Sequence, residues 1–264
     1  MLLKVSHRTE YHYDAPVLYA LQRVRLVPYS GTTQTVKSWA LNIEGAREEV
    51  RYTDQFGNDT RLLSVEGAPN RISVEATGEV ETYNTAGVMG AHLGFAPLWL
   101  FRSETALTTA GEGIRALTGE AGDGTELERL HRLMGAIHTR VEFIPGVTDS
   151  DTNAEEALQQ GSGVCQDHSH IFITAARLLG FPARYISGYL MMDHTVEQTA
   201  THAWTEVNVP NLGWVAFDVA NGISADERYL RIATGRDYRD AMPVSGIRLG
   251  QASERLAVHI TVEQ

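Results

Sequence analysis

Residues 161–170 read Gly161-Ser162-Gly163-Val164-Cys165-Gln166-Asp167-His168-Ser169-His170, and residues 171–180 read Ile171-Phe172-Ile173-Thr174-Ala175-Ala176-Arg177-Leu178-Leu179-Gly180. From Gln166 to Leu179 the apolar residues Ile171, Phe172, Ala175, Ala176, Leu178 and Leu179 cover most of a helical circumference. That spacing predicts a helix buried on several sides. Gly180 ends it and Pro182 blocks its continuation. Ahead of it, a glycine-containing loop delivers Cys165 to the helix start. Free backbone N–H groups and the positive end of the helix dipole there favour a thiolate, and the same groups can donate to an oxyanion forming beside the sulfur. Gly161 and Gly163 allow positive φ or the close approach of another group. Cys165 is the sole cysteine of the chain, so an internal disulfide and a cysteine-rich zinc site are excluded. The plainer reading of a lone cysteine is a small buried hydrophobe.

A thiol nucleophile needs a base, and the base needs an orienting group. With ten histidines in the chain, a downstream histidine is informative only in context. His202-Ala203-Trp204-Thr205-Glu206-Val207-Asn208-Val209, Pro210-Asn211-Leu212 and Gly213-Trp214-Val215-Ala216-Phe217-Asp218 read as strand, turn and strand. His202 opens this hairpin and Asp218 closes it. Pairing Val209 with Gly213 sets Asp218 opposite Trp204 and diagonal to His202, about 7–8 Å away between Cα atoms. A register shifted by one residue would send the two side chains to opposite faces. In the favourable register Cys165 is the candidate nucleophile, His202 the base and Asp218 the group that orients the imidazole.

Outward from this centre the texture divides. Alternating residues mark strands at Leu3 to Tyr13, Gln22 to Pro28, Val36 to Ile43, Glu49 to Thr53, Thr60 to Val65 and Ile72 to Tyr83, with turns at Phe56-Gly57-Asn58-Asp59 and Gly67-Ala68-Pro69-Asn70. Short strands so spaced predict an N-terminal β-sandwich over residues 1–85. Gly87 to Pro97 reads as a connector. The remainder, residues 86–264, shows an amphipathic helix from Thr125 to Val141 with a Thr125–Glu128 capping box. A short helix over Asn153 to Gln160, the cysteine helix, and strands at Ala183 to Met192, Ala203 to Val209, Gly213 to Val219 and Arg255 to Val262 complete it. That order predicts an α+β fold. The 264 residues are 43% apolar and 21% charged, enough for a core and unlike a disordered chain. A net charge of −11 opposes a nucleic-acid partner. No run of about 18 apolar residues predicts a membrane span, and Met1 to His7 lacks a secretory pattern, so the default expectation is cytoplasmic with no membrane partner.

The three motifs together resemble the bacterial transglutaminase-like superfamily: Gly163-Val164-Cys165-Gln166-Asp167 its nucleophile motif, Thr201-His202-Ala203-Trp204-Thr205-Glu206-Val207 its histidine strand, and Gly213 to Gly222 its aspartate strand. His7-Arg8-Thr9-Glu10-Tyr11-His12-Tyr13-Asp14-Ala15-Pro16-Val17 and Asp54-Gln55-Phe56-Gly57-Asn58 are similar to the β-rich region that precedes this core in bacterial members. Gly235-Arg236-Asp237-Tyr238 with Pro243-Val244-Ser245-Gly246 resembles its closing segment. The resemblance implies a papain-like α+β catalytic core, no cofactor, and cysteine protease, amidase or transglutaminase chemistry on a peptide or amide-containing substrate. Two departures stand out. Val219-Ala220 follow Asp218 where the family usually has Pro-Thr, and His168 follows Asp167 where an aromatic is common. Asp167, His168 and His170 beside Cys165 form the rival metal-site cluster, because thiolate, imidazole and carboxylate all bind zinc. On a helix Asp167 and His170 share a face but His168 points elsewhere, so no metal is expected and a polar groove lining is the preferred reading. Gln166, His168 and Trp204 are the candidate groove residues.

Overall fold

The computed structural model describes residues 1–65, 67–193, 195–250 and 253–264. Six strands come first: β1 (Leu2–Tyr13), β2 (Tyr19–Val27), β3 (Gln34–Glu44), β4 (Ala46–Thr53), β5 (Asp59–Val65) and β6 (Arg71–Thr82). Next are β7 (Val88–Gly90), inside the predicted connector, then α1 (Glu112–Leu117), α2 (Glu126–Arg140), β8 (Glu142–Phe143), α3 (Ala154–Gln160) and β9 (Ser162–Gly163). The cysteine helix is α4 (Cys165–Leu178). It is followed by β10 (Ala183–Leu190), β11 (Glu197–Gln198), β12 (His202–Val209), β13 (Gly213–Phe217), β14 (Tyr229–Gly235), α5 (Tyr238–Ala241), β15 (Val244–Leu249) and β16 (Glu254–Glu263). The class is mixed α and β, with a sheet-rich N-terminal region ahead of a helix-and-sheet core.

The N-terminal strands form two sheets, ordered β11-β16-β1-β6-β3 and β15-β2-β5-β4. Val24, Leu26 and Leu63 of one sheet meet Val74 and Ala76 of the other. The core sheet is β14-β10-β12-β13-β7. The contiguous division at residue 86 assigns the end of the chain to the core, but β15 pairs with β2 and β16 pairs with β1 throughout its length. Both ends of the chain therefore build the N-terminal sheets. In β1 and β6, each twelve residues long, one face serves two purposes. Ile72, Val74 and Ala76 pack into the sandwich. Leu3, Val5 and Val80, with Ile260 and Val262 of β16, pack into the cluster that contains the core helices.

Helix α4 runs beneath the core sheet. Phe172 packs at a tilt against Phe217 of β13 with ring centroids 5.2 Å apart, and Thr205 of β12 donates to the Ser169 carbonyl at 3.3 Å. The expected Thr125–Glu128 box starts α2, with Thr125 N–H donating to Glu128 at 2.9 Å, and Leu130, Leu133, Met134 and Ile137 face inward. The buried Arg177 fixes the far end of α4, donating to the carbonyls of Phe101, Ala183 and Arg236 and to Thr108 at 2.7–3.0 Å. A cation there also opposes the negative end of the helix dipole.

β14 lies at an edge, and its outward backbone groups need partners. Two side-chain amides from the N-terminal strands supply them. Gln34 donates to the Arg231 carbonyl at 2.9 Å and accepts from Arg231 N–H at 2.8 Å. Asn58 does the same for Thr234, at 2.8 Å in both directions. Asn58 is itself held by Asp54, whose carboxylate closes the 54–58 turn on the Phe56 and Asn58 amides at 3.0 Å. The Asp54-to-Asn58 motif is thus a clamp between the two parts of the molecule. Asn58→Ala or Gln34→Ala leaves buried backbone groups unpaired at about 1–3 kcal/mol each. We expect a stability loss of about 2 kcal/mol or more in urea unfolding, with hydrogen-exchange protection falling first at Thr234 or Arg231; wild-type protection at those amides would contradict the clamp.

Candidate active site

The loop entering α4 takes its shape from hydrogen bonds to Asp167. Its Oδ2 accepts from the Val164 amide at 2.7 Å and from the Thr148 hydroxyl at 2.7 Å, so this carboxylate caps the helix that begins with Cys165. Burial drives the Asp167 carboxyl above its ordinary range, against the lowering effect of these bonds. The two loop glycines act differently. Gly161 ends α3 with φ at 70°, a left-handed cap that favours glycine. Gly163 has no such requirement, but a β-carbon there would lie 2.6 Å from the Asp167 Oδ2. Glycine at 163 makes room for the cap. Among the described residues no acceptor takes the Cys165 amide, so it stays free at the positive helix end.

The hairpin has the register the sequence required. Val209 pairs with Gly213 and Thr205 with Phe217, which leaves His202 and Asp218 on one face. His202 Nε2 lies 2.6 Å from Asp218 Oδ2, and the imidazole is near enough to Cys165 for the sulfur to raise its pKa. With Nε2 engaged by the carboxylate, Nδ1 is the ring nitrogen left for the sulfur. The Trp204 ring stacks on the imidazole at 6.2 Å between centroids, fixing its plane.

Asp218 is fully buried and is held by groups that the sequence reading did not single out. Tyr229 donates its hydroxyl to Oδ2 at 2.6 Å, Asn221 its side-chain amide to Oδ2 at 2.7 Å, and Asn221 its backbone N–H to Oδ1 at 3.2 Å. Asn221 was visible as part of the aspartate strand motif. Tyr229 lies on β14, which carried no strand signal. The turn with Val219-Ala220 in place of Pro-Thr closes through mutual Asp218–Ile223 backbone bonds at 2.8 and 3.1 Å, and the Val219 carbonyl contacts His138 Nδ1 at 3.0 Å.

Charge states follow from this packing. Burial tends to lower the His202 pKa, but the hydrogen bond to Asp218 and the influence of the Asp218 and Cys165 charges outweigh it, so the ring is pushed up to about 10. For Asp218, burial works upward and is overcome by His202, Tyr229 and Asn221, which hold the carboxyl below its ordinary range.

The other candidates fall elsewhere. His168 does not line a groove: it is buried, with Nδ1 2.9 Å from the Val164 carbonyl and Nε2 2.9 Å from the Val141 carbonyl. It fastens the helix start to the end of α2. His170 is also buried, its Nε2 accepting from the Tyr238 amide at 3.1 Å, and burial lowers its pKa to about 3. Trp204 is buried behind His202 and is a wall for the imidazole, not an exposed groove side chain. Gln166 is half-buried beside Cys165. Among the described residues no three His, Cys, Asp or Glu side chains are grouped as a metal site.

Residues 115–219 match the family model of the transglutaminase-like superfamily, and residues 3–81 match that of the bacterial transglutaminase-like N-terminal region. The chain belongs to the transglutaminase-like superfamily and carries its bacterial N-terminal region. It is 28% identical to an uncharacterized protein of Mycobacterium leprae over 98% of both chains. It is 27% identical to an uncharacterized Mycobacterium tuberculosis protein, over 98% of this chain and 91% of that one. The fold matches a solved structure from Cytophaga hutchinsonii, provisionally assigned as a cysteine protease, at a TM-score of 0.78 and 21% identity, covering 100% of this chain and 90% of the other.

Two outcomes test this geometry. Because folding raises the His202 pKa from 6.5 to about 10, its stabilisation is complete below about pH 6.5 and is lost as pH rises through about 10. Urea midpoints at fixed ionic strength should fall between pH 7 and 10 in the wild type and fall less in His202→Asn; equal slopes would contradict the pairing. Gly163→Ala should displace the Asp167 cap and cost about 1–2 kcal/mol, seen in the same unfolding measurement, whereas a neutral effect would mean that the loop has room for a side chain.

Proposed function

We propose that the protein is a cysteine-dependent acyl-transfer enzyme acting on peptide or amide substrates, with hydrolysis as its net reaction. The observation that carries this reading is the grouping of Cys165 at the helix start with His202, whose pKa it helps raise, and the buried Asp218 bonded to His202 at 2.6 Å. In the first step Cys165 Sγ attacks the amide carbonyl carbon. An S–C bond forms, and the oxyanion is received by the free Cys165 amide at the helix start. The thiol proton already sits on His202 as the imidazolium before attack, and His202 passes it to the leaving amine as the C–N bond breaks. In the second step water attacks the thioester, His202 takes a proton from that water, the S–C bond breaks and a carboxylic acid leaves. Asp218 stays ionised throughout and stabilises the imidazolium.

An amine in place of water at the second step would give transglutaminase-type transfer through the same thioester. A non-catalytic binding domain of the same fold would form no thioester. Mass spectrometry of wild type and Cys165→Ala with a panel of peptide amides, with and without a primary amine, separates the three. Hydrolysis predicts acid products, unchanged in kind by the amine, and a loss of about 10³-fold or more in Cys165→Ala. Amide-linked products would establish transfer. Unchanged activity in Cys165→Ala would overturn the mechanism.

A further inference from the structure

The His7-to-Tyr13 motif on β1 has no part in the catalytic chain, yet its inward side chains reach toward it. On that face Leu3 and Val5 belong to the core cluster and Tyr13 to the sandwich cluster. His7, Thr9 and Tyr11 occupy the interval between. Across the strand pairing, Thr9 sits opposite Val258 and Tyr11 opposite Leu256. A cavity of about 160 Å³ opens over this interval, roofed by Thr201 and Tyr238.

Three connections bring the cavity to the catalytic residues. Thr201 directly precedes His202. The Tyr238 amide donates to His170 at 3.1 Å, five residues along α4 from Cys165 and so about 7.5 Å along the helix axis. The Tyr238 ring meets the Tyr185 ring edge-on at 6.1 Å, and Tyr185 is close enough to Cys165 for that sulfur to bear on its ionisation.

The lining is uncharged. Among the described residues no Asp, Glu, Lys or Arg contributes to it. His7 is buried against the Tyr189 hydroxyl at 2.7 Å and the Thr9 hydroxyl at 3.0 Å, and burial holds it neutral at physiological pH. Leu256 stands 53% exposed at the mouth. A cavity of about 150 Å³ with an apolar lining is large enough for a benzene ring.

We propose that this crevice is the specificity pocket of the cysteine site and accepts a neutral aromatic or branched aliphatic group next to the scissile bond. The inference rests on Cys165 being the nucleophile. It gives both chain ends a role in substrate choice, since β1 and β16 supply the pocket floor while β12 supplies the histidine.

The test compares alkylation of Cys165 by iodoacetamide and by its phenyl analogue iodoacetanilide, each rate divided by that of free glutathione. Seating one aromatic ring predicts about a ten-fold preference for iodoacetanilide in the wild type. The preference should fall to about one in Leu256→Glu and in Val244→Glu, which place a carboxylate on two different walls. Equal normalised rates in the wild type, or a preference that survives in both variants, would overturn the pocket. A Cys165 that reacts with both probes no faster than glutathione would overturn the nucleophile reading, and the pocket assignment with it.

Discussion

The 2.6 Å contact between His202 Nε2 and the buried Asp218 carboxylate is the interaction on which the rest of the site depends. A carboxylate taken out of water is costly unless it is paired and hydrogen-bonded. Here one oxygen accepts from His202, Tyr229 and Asn221 and the other from the Asn221 backbone. That satisfaction keeps Asp218 ionised in a dry setting. The ionised carboxylate in turn favours a charged imidazole, against the burial that would discharge it. Orientation follows from the same packing, because the ring is caught between the Trp204 face and the Asp218 oxygen.

The scaffold around this pair is shared between regions distant in sequence. The cysteine comes from the start of a buried helix, the histidine and aspartate from one hairpin, and Tyr229 from an edge strand. That edge strand is held in place by Gln34 and Asn58 of the N-terminal region. The N-terminal sheets are therefore coupled to the aspartate through one strand: an element that loses its outer hydrogen bonds at Arg231 and Thr234 also carries the Tyr229 hydroxyl. β1 and β16 reinforce the connection by laying one face across both sandwich and core.

Much of this was legible in residue spacing. The alternation in Leu3 to Tyr13 and Arg255 to Val262, the capping box at Thr125, the glycine cap at 161 and the hairpin register between Val209 and Gly213 are local signals, set by side-chain period and turn chemistry. What escaped was long-range. β14 reads Tyr-Leu-Arg-Ile-Ala-Thr-Gly, an apolar run interrupted by Arg231, and nothing local marks it as a strand or Tyr229 as the partner of Asp218. The attachment of β15 and β16 to the N-terminal sheets is likewise invisible to a reading that divides the chain into consecutive blocks. His168 was read as a groove residue because of its place next to the nucleophile motif. Its actual partners, the Val141 and Val164 carbonyls, lie on either side of the helix start and emerge only in three dimensions.

Cys165 and Asp218 together hold His202 as a cation at neutral pH. Nitrogen-15 chemical shifts of the His202 ring, followed from pH 6 to 11 in protein labelled at histidine, measure this directly. Both ring nitrogens should carry protons at pH 7–8, and the ring should titrate near 10. A single neutral tautomer at pH 7, titrating near the ordinary 6.5, would contradict it.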